Sequence, residues 1–110
     1  MINRRDVVLA QVFFTDSSES KVRPAIVLSE GKYHSEDFVL VASVTTANDN
    51  FCIPILKNDV TCALDENSHA RFDGVIKLHK KQILRTIGRI SAEFHAGLVD
   101  KIINMINYKI

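Results

Sequence analysis

Apolar residues fall in short runs separated by polar clusters over most of the chain, and only at its end do they recur at helical spacing. Val7 to Phe14 is a nearly continuous apolar run, which predicts a strand covered on both faces. Thr15 to Lys21 is polar and rich in the turn formers Asp and Ser, which predicts a loop. Ala25 to Leu28 and Phe38 to Thr46 predict the next two strands, joined by the polar stretch Glu30 to Glu36 with its Gly31. Ala47 to Asn50 is a turn signal before a fourth strand, Phe51 to Leu56, where Pro54 predicts an edge or a bulge. Asn58 to Asp73 is polar, with Asp65 to Ser68 as its loop tip. Val75 to Leu78 and Gln82 to Gly88 add two more short strands, and the set predicts a small barrel or sandwich.

After Gly88 the period changes. Ser91 predicts an N-cap, and Glu93 places a negative charge where it complements the helix dipole. Phe94, Leu98, Ile102 and Met105 with Ile106 then form one apolar stripe. The fold class is therefore mainly β with a C-terminal helix closing a barrel, as one domain over residues 1–110.

Composition supports a packed core and narrows the function. The chain has 110 residues, of which 46% are hydrophobic, and a formal net charge of +1. That balance supplies no global field for a polyanion, so any nucleic-acid binding has to come from a local patch. No stretch reaches the roughly 20 apolar residues that span a bilayer. No signal peptide is visible, which predicts a cytoplasmic protein with no membrane partner. Cys52 and Cys62 predict reduced, packed thiols. Combined with His69 and His79 they leave gaps of nine, six and nine residues, without the short ligand pairs of a structural zinc site. No metal or other cofactor is expected.

Candidate chemistry concentrates between Asp16 and Ser29. A polar loop leads into Lys21, Arg23 and Pro24 and then an aliphatic run. Proline biases the preceding residue toward extended backbone and suits the first position of a strand. Arg23 is thus expected at a strand mouth, beside Asp16 and Glu19, as an oxyanion or phosphate contact. A second feature is a basic stripe: Lys77, Lys80, Lys81, Arg85 and Arg89 lie within thirteen residues that hold no acid. Beside a groove, such a stripe becomes a phosphate track.

The segments Asp6-Val7-Val8, Ser17 to Val22, Arg23-Pro24-Ala25-Ile26-Val27-Leu28-Ser29, Val39 to Thr45 and Gly88-Arg89-Ile90-Ser91 carry a resemblance in order and spacing. Together they resemble the PemK/MazF toxins, the ribosome-independent endoribonucleases of bacterial toxin–antitoxin pairs. The resemblance implies an SH3-like barrel with a helix, a homodimer with its RNA groove at the subunit interface, and an antitoxin that blocks the groove with an acidic tail. It implies metal-independent cleavage of single-stranded RNA with Arg23 and Thr45 as catalytic residues, Thr46 being the register alternative. The chain departs from the pattern at Arg5, where a glycine is usual, and at Gly74, where a serine is usual. Lys77 and His79 stand where some members carry a basic residue and an aspartate.

Cleavage of this kind needs a base for the ribose 2′-OH, donors for the pentavalent phosphate and an acid for the leaving 5′-oxygen. Arg23 suits the phosphate, because its guanidinium offers five donors and stays charged. Thr45 supplies a hydroxyl at a strand end, and Ser43 shares its face by the two-residue period. Histidine is the natural proton carrier near neutral pH; His79 is the first candidate and His34 the second. The RNA contacts expected around them are Asp16, Ser20, Lys21, Ser43, Thr46, Lys77 and Lys81. The alternative reading is a non-catalytic SH3-like module that binds RNA or protein.

Overall fold

Six strands and one helix follow in chain order: β1 Asp6–Phe13, β2 Ser20–Val27, β3 Phe38–Thr45, β4 Cys52–Pro54, β5 His69–His79, β6 Ile83–Arg89 and α1 Ala92–Ile106. Short 3-10 turns stand at Lys57–Asp59 and Lys80–Gln82. The computed structural model describes residues 2–13, 20–31 and 37–107. Asp16, Glu19 and His34 lie outside the described residues, and of Ser20 only its backbone place in β2 is described.

The strands form one antiparallel sheet in the order β4-β5-β3-β2-β1-β6. Its apolar positions divide between two faces by the two-residue period of a strand. Val7, Ile26, Ala42, Val44 and Ala70 share one cluster with Ile55, Ile90 and the helical Leu98. Val8, Ala10, Ala25, Val27, Val39, Val41 and Leu78 share the other. The register agrees, since Val7 pairs with Ile26 and Val8 with Ala25. β1 is thus covered on both faces, as its unbroken apolar run predicts.

The two ends of the sheet are brought together into a barrel. An antiparallel bridge joins Val60, just past β4, to Ile90, just past β6. Thr61 N–H donates to the Arg89 carbonyl at 2.9 Å, and Arg89 N–H donates to Thr61 Oγ1 at 2.8 Å. At this seam Gly88 lies so close to Cys62 that a Cβ would stand 2.7 Å from the Cys62 Cβ. A side chain there would force Cys62 and Thr61 to shift.

Three strand boundaries differ from the sequence reading. β2 begins at Ser20, so Lys21 and Arg23 lie within the strand and not at its mouth. β5 runs unbroken from His69 to His79 and absorbs the polar residues before Val75. Its polar character reflects a bulge: between Ala42 and Val44 the register jumps from Val75 to Ala70, so Arg71, Phe72, Asp73 and Gly74 stand against Ser43 alone. The fourth strand shrinks to Cys52–Pro54, and Pro54 lies on the sheet edge as expected.

α1 starts where the sequence places it. The Ser91 hydroxyl accepts from Phe94 N–H at 3.1 Å. Phe94, Leu98 and Ile102 pack on the core, but the stripe ends there, with Ile106 72% exposed. His95, which the apolar pattern passes over, is buried instead. Among the described residues no helix is long and apolar enough to cross a membrane.

Ahead of β1 the chain makes a tight turn. Asp6 N–H donates to the Asn3 carbonyl at 3.0 Å, and Asn3 N–H donates to Asp6 Oδ2 at 2.8 Å. Arg5, third in the turn, has φ 77°. That left-handed backbone favours glycine, and a side-chain-bearing residue there costs about 1–3 kcal/mol.

Candidate active site

The site is a split in the sheet. β2 and β3 pair through Val27–Val41, Ile26–Ala42 and Ala25–Ser43, and then the ladder stops. Continued, it would set Pro24 against Val44 and Arg23 against Thr45. Backbone polarity explains the stop. The Val27 carbonyl accepts from Arg5 N–H on the β1 side, and Leu28 N–H donates to Leu40 on the β3 side. The two-residue period therefore turns Pro24 toward β3, where it has no N–H to donate. Proline sits inside a strand here because its missing donor faces the gap. On the other side β2 stays paired with β1, Arg23 opposite Ala10, and β3 stays paired with β5, Thr45 opposite His69.

Arg23 and Thr45 line the same gap from its two prongs. One cavity of about 170 Å³ between the prongs also meets Ser43 and Arg71. A second, of about 300 Å³, is lined by Arg23 and Thr45 together with Thr46, Asp65 and Ser68. Thr45 Oγ1 accepts from Ala47 N–H at 3.1 Å. This contact uses a lone pair and leaves the hydroxyl hydrogen to be donated. Ser43 behaves in the opposite way, because its hydroxyl donates to the Gly74 carbonyl at 3.1 Å. Ser43 thus presents only acceptor capacity to the cavity.

Arg71 is the residue that the sequence reading missed. Its Nε lies 2.8 Å from Asp73 Oδ1, its Nη2 2.9 Å from Asp49 Oδ2, and its Nη1 3.6 Å from the Cys52 sulfur. Two carboxylates thus fix its orientation. Phe51 N–H, and after it the Arg71 guanidinium, hold the Asp49 carboxyl below its usual range. Burial pushes the Cys52 thiol up, keeping it protonated beside the arginine. Arg71 and Asp73 stand just before Gly74 in the sequence, and only the bulge sets this stretch against Ser43.

His69 also gains a place. It is the cross-strand partner of Thr45, and directly opposite residues carry Cβ atoms roughly 5 Å apart on one face. Its Nδ1 lies 2.6 Å from the Asn67 carbonyl. A carbonyl only accepts, so Nδ1 carries the proton and Nε2 of the neutral ring is left as an acceptor.

The other expected residues lie elsewhere. His79 pairs with Phe38, at the opposite end of β3 from Thr45, about 23 Å along the strand. Its Nδ1 accepts from Lys81 N–H at 3.0 Å, and its ring stands edge-on to Phe38 with centroids 4.9 Å apart. Lys77 Nζ sits 4.3 Å from the centroid of the Phe38 ring, above its face. His79, Lys77 and Lys81 therefore form a group apart from Arg23 and Thr45. The basic stripe is divided in the same way, because Arg85 and Arg89 lie on β6, where Arg89 Nε approaches the buried Asp6 carboxylate at 3.4 Å. Lys21 is exposed on β2, toward the end that Ser20 begins.

The family model of the PemK-like, MazF-like toxins of type II toxin–antitoxin systems matches residues 3–106. Among solved structures, the chain is similar to MazE–MazF from Deinococcus radiodurans, with a TM-score of 0.78 and 15% identity over 98% of this chain and 97% of that one. It is similar to toxin MazF-mt6 of Mycobacterium tuberculosis, with a TM-score of 0.73 and 23% identity over 96% and 100%. A mycobacterial endoribonuclease in complex with its cognate antitoxin gives a TM-score of 0.69 and 13% identity over 100% and 99%. At these identities the structural likeness is one of fold. Curated protein sequences give no match.

Proposed function

The chain belongs to the PemK-like, MazF-like toxin family, and on that premise we propose that it is an endoribonuclease toxin that cleaves single-stranded RNA without a metal. The observation that carries this reading is the pair Arg23 and Thr45 facing one cavity across the split between β2 and β3. The ribose 2′-oxygen attacks the adjacent phosphorus while the bond from phosphorus to the 5′-oxygen breaks, leaving a 2′,3′-cyclic phosphate and a 5′-hydroxyl. Arg23 grips the equatorial oxygens as their charge grows, a role suited to a planar, permanently charged donor. Thr45 adds its hydroxyl hydrogen. The proton-transfer part assigned from sequence to His79 passes to His69, the cross-strand partner of Thr45, which takes the 2′-hydroxyl proton while water protonates the departing 5′-oxygen. Arg71 is a positioning residue, setting the charge and shape of the cavity wall. An antitoxin and a second copy of the chain are the protein partners that accompany this reading.

The test is RNA cleavage by the purified protein in EDTA, with Arg23→Ala alongside. Cleavage with cyclic-phosphate ends is expected of the parent protein, and a loss of about 10²–10³ in rate from the variant. Equal cleavage by the variant would remove Arg23 from the mechanism. Binding without turnover by the parent would favour the non-catalytic module instead.

A further inference from the structure

The strained turn before β1 carries an observation that the split in the sheet does not use. Arg5 holds the left-handed backbone that glycine adopts freely, and among the described residues no glycine has positive φ. Backbone contacts fix this conformation: Arg5 N–H donates to Val27 at 2.9 Å, and Ile90 N–H donates to the Arg5 carbonyl at 2.8 Å. Glycine would keep both. What arginine adds is its side chain, which bonds the Ile90 carbonyl through Nε at 3.0 Å and lines a surface cleft of about 560 Å³.

That cleft also holds Arg4, Arg89, Asp6 and Glu30. Arg4 pairs with Glu30 at 3.2 Å, and Arg89 lies 3.4 Å from Asp6. Arg5 is left as the surplus charge, with no carboxylate of the described residues at ion-pair distance. A guanidinium cluster with one charge in excess suits an oxyanion, which it grips bidentately.

We propose that this cleft is a second oxyanion site, taking a phosphodiester of the same RNA chain that enters the split between β2 and β3. The proposal rests on the endoribonuclease reading above. It is supported by placement: Arg5 is anchored to Val27, on the same strand as Arg23 and about 13 Å along it, a span that a single strand covers in a few nucleotides. Arg5 is thus tied by its backbone to the strand that carries Arg23.

The experiment titrates a 2′-deoxy-substituted, uncleavable oligoribonucleotide against the parent protein and Arg5→Gly at several salt concentrations, with thermal melts of both. Arg5→Gly relieves the backbone, so its melting temperature should be equal or higher. Its affinity should fall about threefold to tenfold, and the slope of log K against log salt should shrink by about 0.7, the value for one single-strand phosphate contact. Unchanged affinity and slope would overturn the site while leaving the endoribonuclease reading intact. So would a fall in affinity matched by a fall in melting temperature, which marks Arg5 as a structural staple. Absence of RNA binding by the parent protein would overturn both readings.

Discussion

The Ser43 hydroxyl donates to the Gly74 carbonyl across 3.1 Å, and a Cβ built on Gly74 would stand 3.2 Å from that same hydroxyl oxygen and 3.2 Å from the Arg71 Cγ. One small residue thus sets the spacing of two side chains that line the cavity. Gly74 has no positive φ, so alanine is acceptable to the backbone. Gly74→Ala is expected to lower turnover by about tenfold through small displacements at the site, with the melting temperature within a few degrees of the parent. Single-turnover cleavage and a thermal melt check both halves.

His69→Gln separates a proton carrier from a turn-forming residue. Loss of a general base typically removes about 10²–10⁴ of rate. Single-turnover cleavage by the variant measures the loss, and a variant that keeps the rate would return the proton-transfer role to another group.

Acid should weaken the fold through His95. Burial holds its imidazole below the ordinary range, Arg4 and Arg5 add to the effect, and a hydrogen bond to Val27 opposes it. Above the unfolded value of about 6.5 both states are neutral and nothing is lost. Below it the unfolded chain takes up a proton that the folded chain refuses, so stability falls with pH until the lowered folded value is reached. Urea melts across this window should show the decline, and His95→Leu should flatten it.

Of the four glycines, Gly88 at the barrel seam leaves the least room for a side chain. Gly88→Ala would press its Cβ on the Cys62 Cβ and Sγ, which lie 2.7 and 2.8 Å away. Overpacking of this kind costs about 1–3 kcal/mol, or roughly 4–16 °C of melting temperature for a chain of this size. Thermal denaturation measures it directly, and a melt unchanged within a degree would mean the seam can open at little cost.

Sequence periodicity carried most of the fold. The unbroken Val7 to Phe14 run marks a strand with two apolar faces, and Ser91 with Phe94, Leu98 and Ile102 marks the helix and its buried side. It failed where tertiary contacts override local pattern. His69 to Asp73 reads as polar loop because the bulge opposite Ser43 frees those side chains from alternation. Arg23 and Thr45 were legible as a pair through the order of segments. Pro24 pointed to a strand start because the sequence does not show which side of the strand its missing N–H faces. Arg71 and His69 were not legible, since only the register of β5 on β3 and β4 sets Arg71 on the cavity wall and His69 opposite Thr45.

The order in which the chain is made bears on when this site becomes firm. β1 holds β2, and with it Arg23, yet the other side of β1 pairs with β6, from Asp6–Arg89 to Ala10–Ile83. Arg5 likewise waits for Ile90. A chain synthesised from its N-terminus therefore keeps β1 as an open edge until residues 83–90 have emerged, and open edges invite wrong partners. The longest loop closures complete the barrel, and they come last.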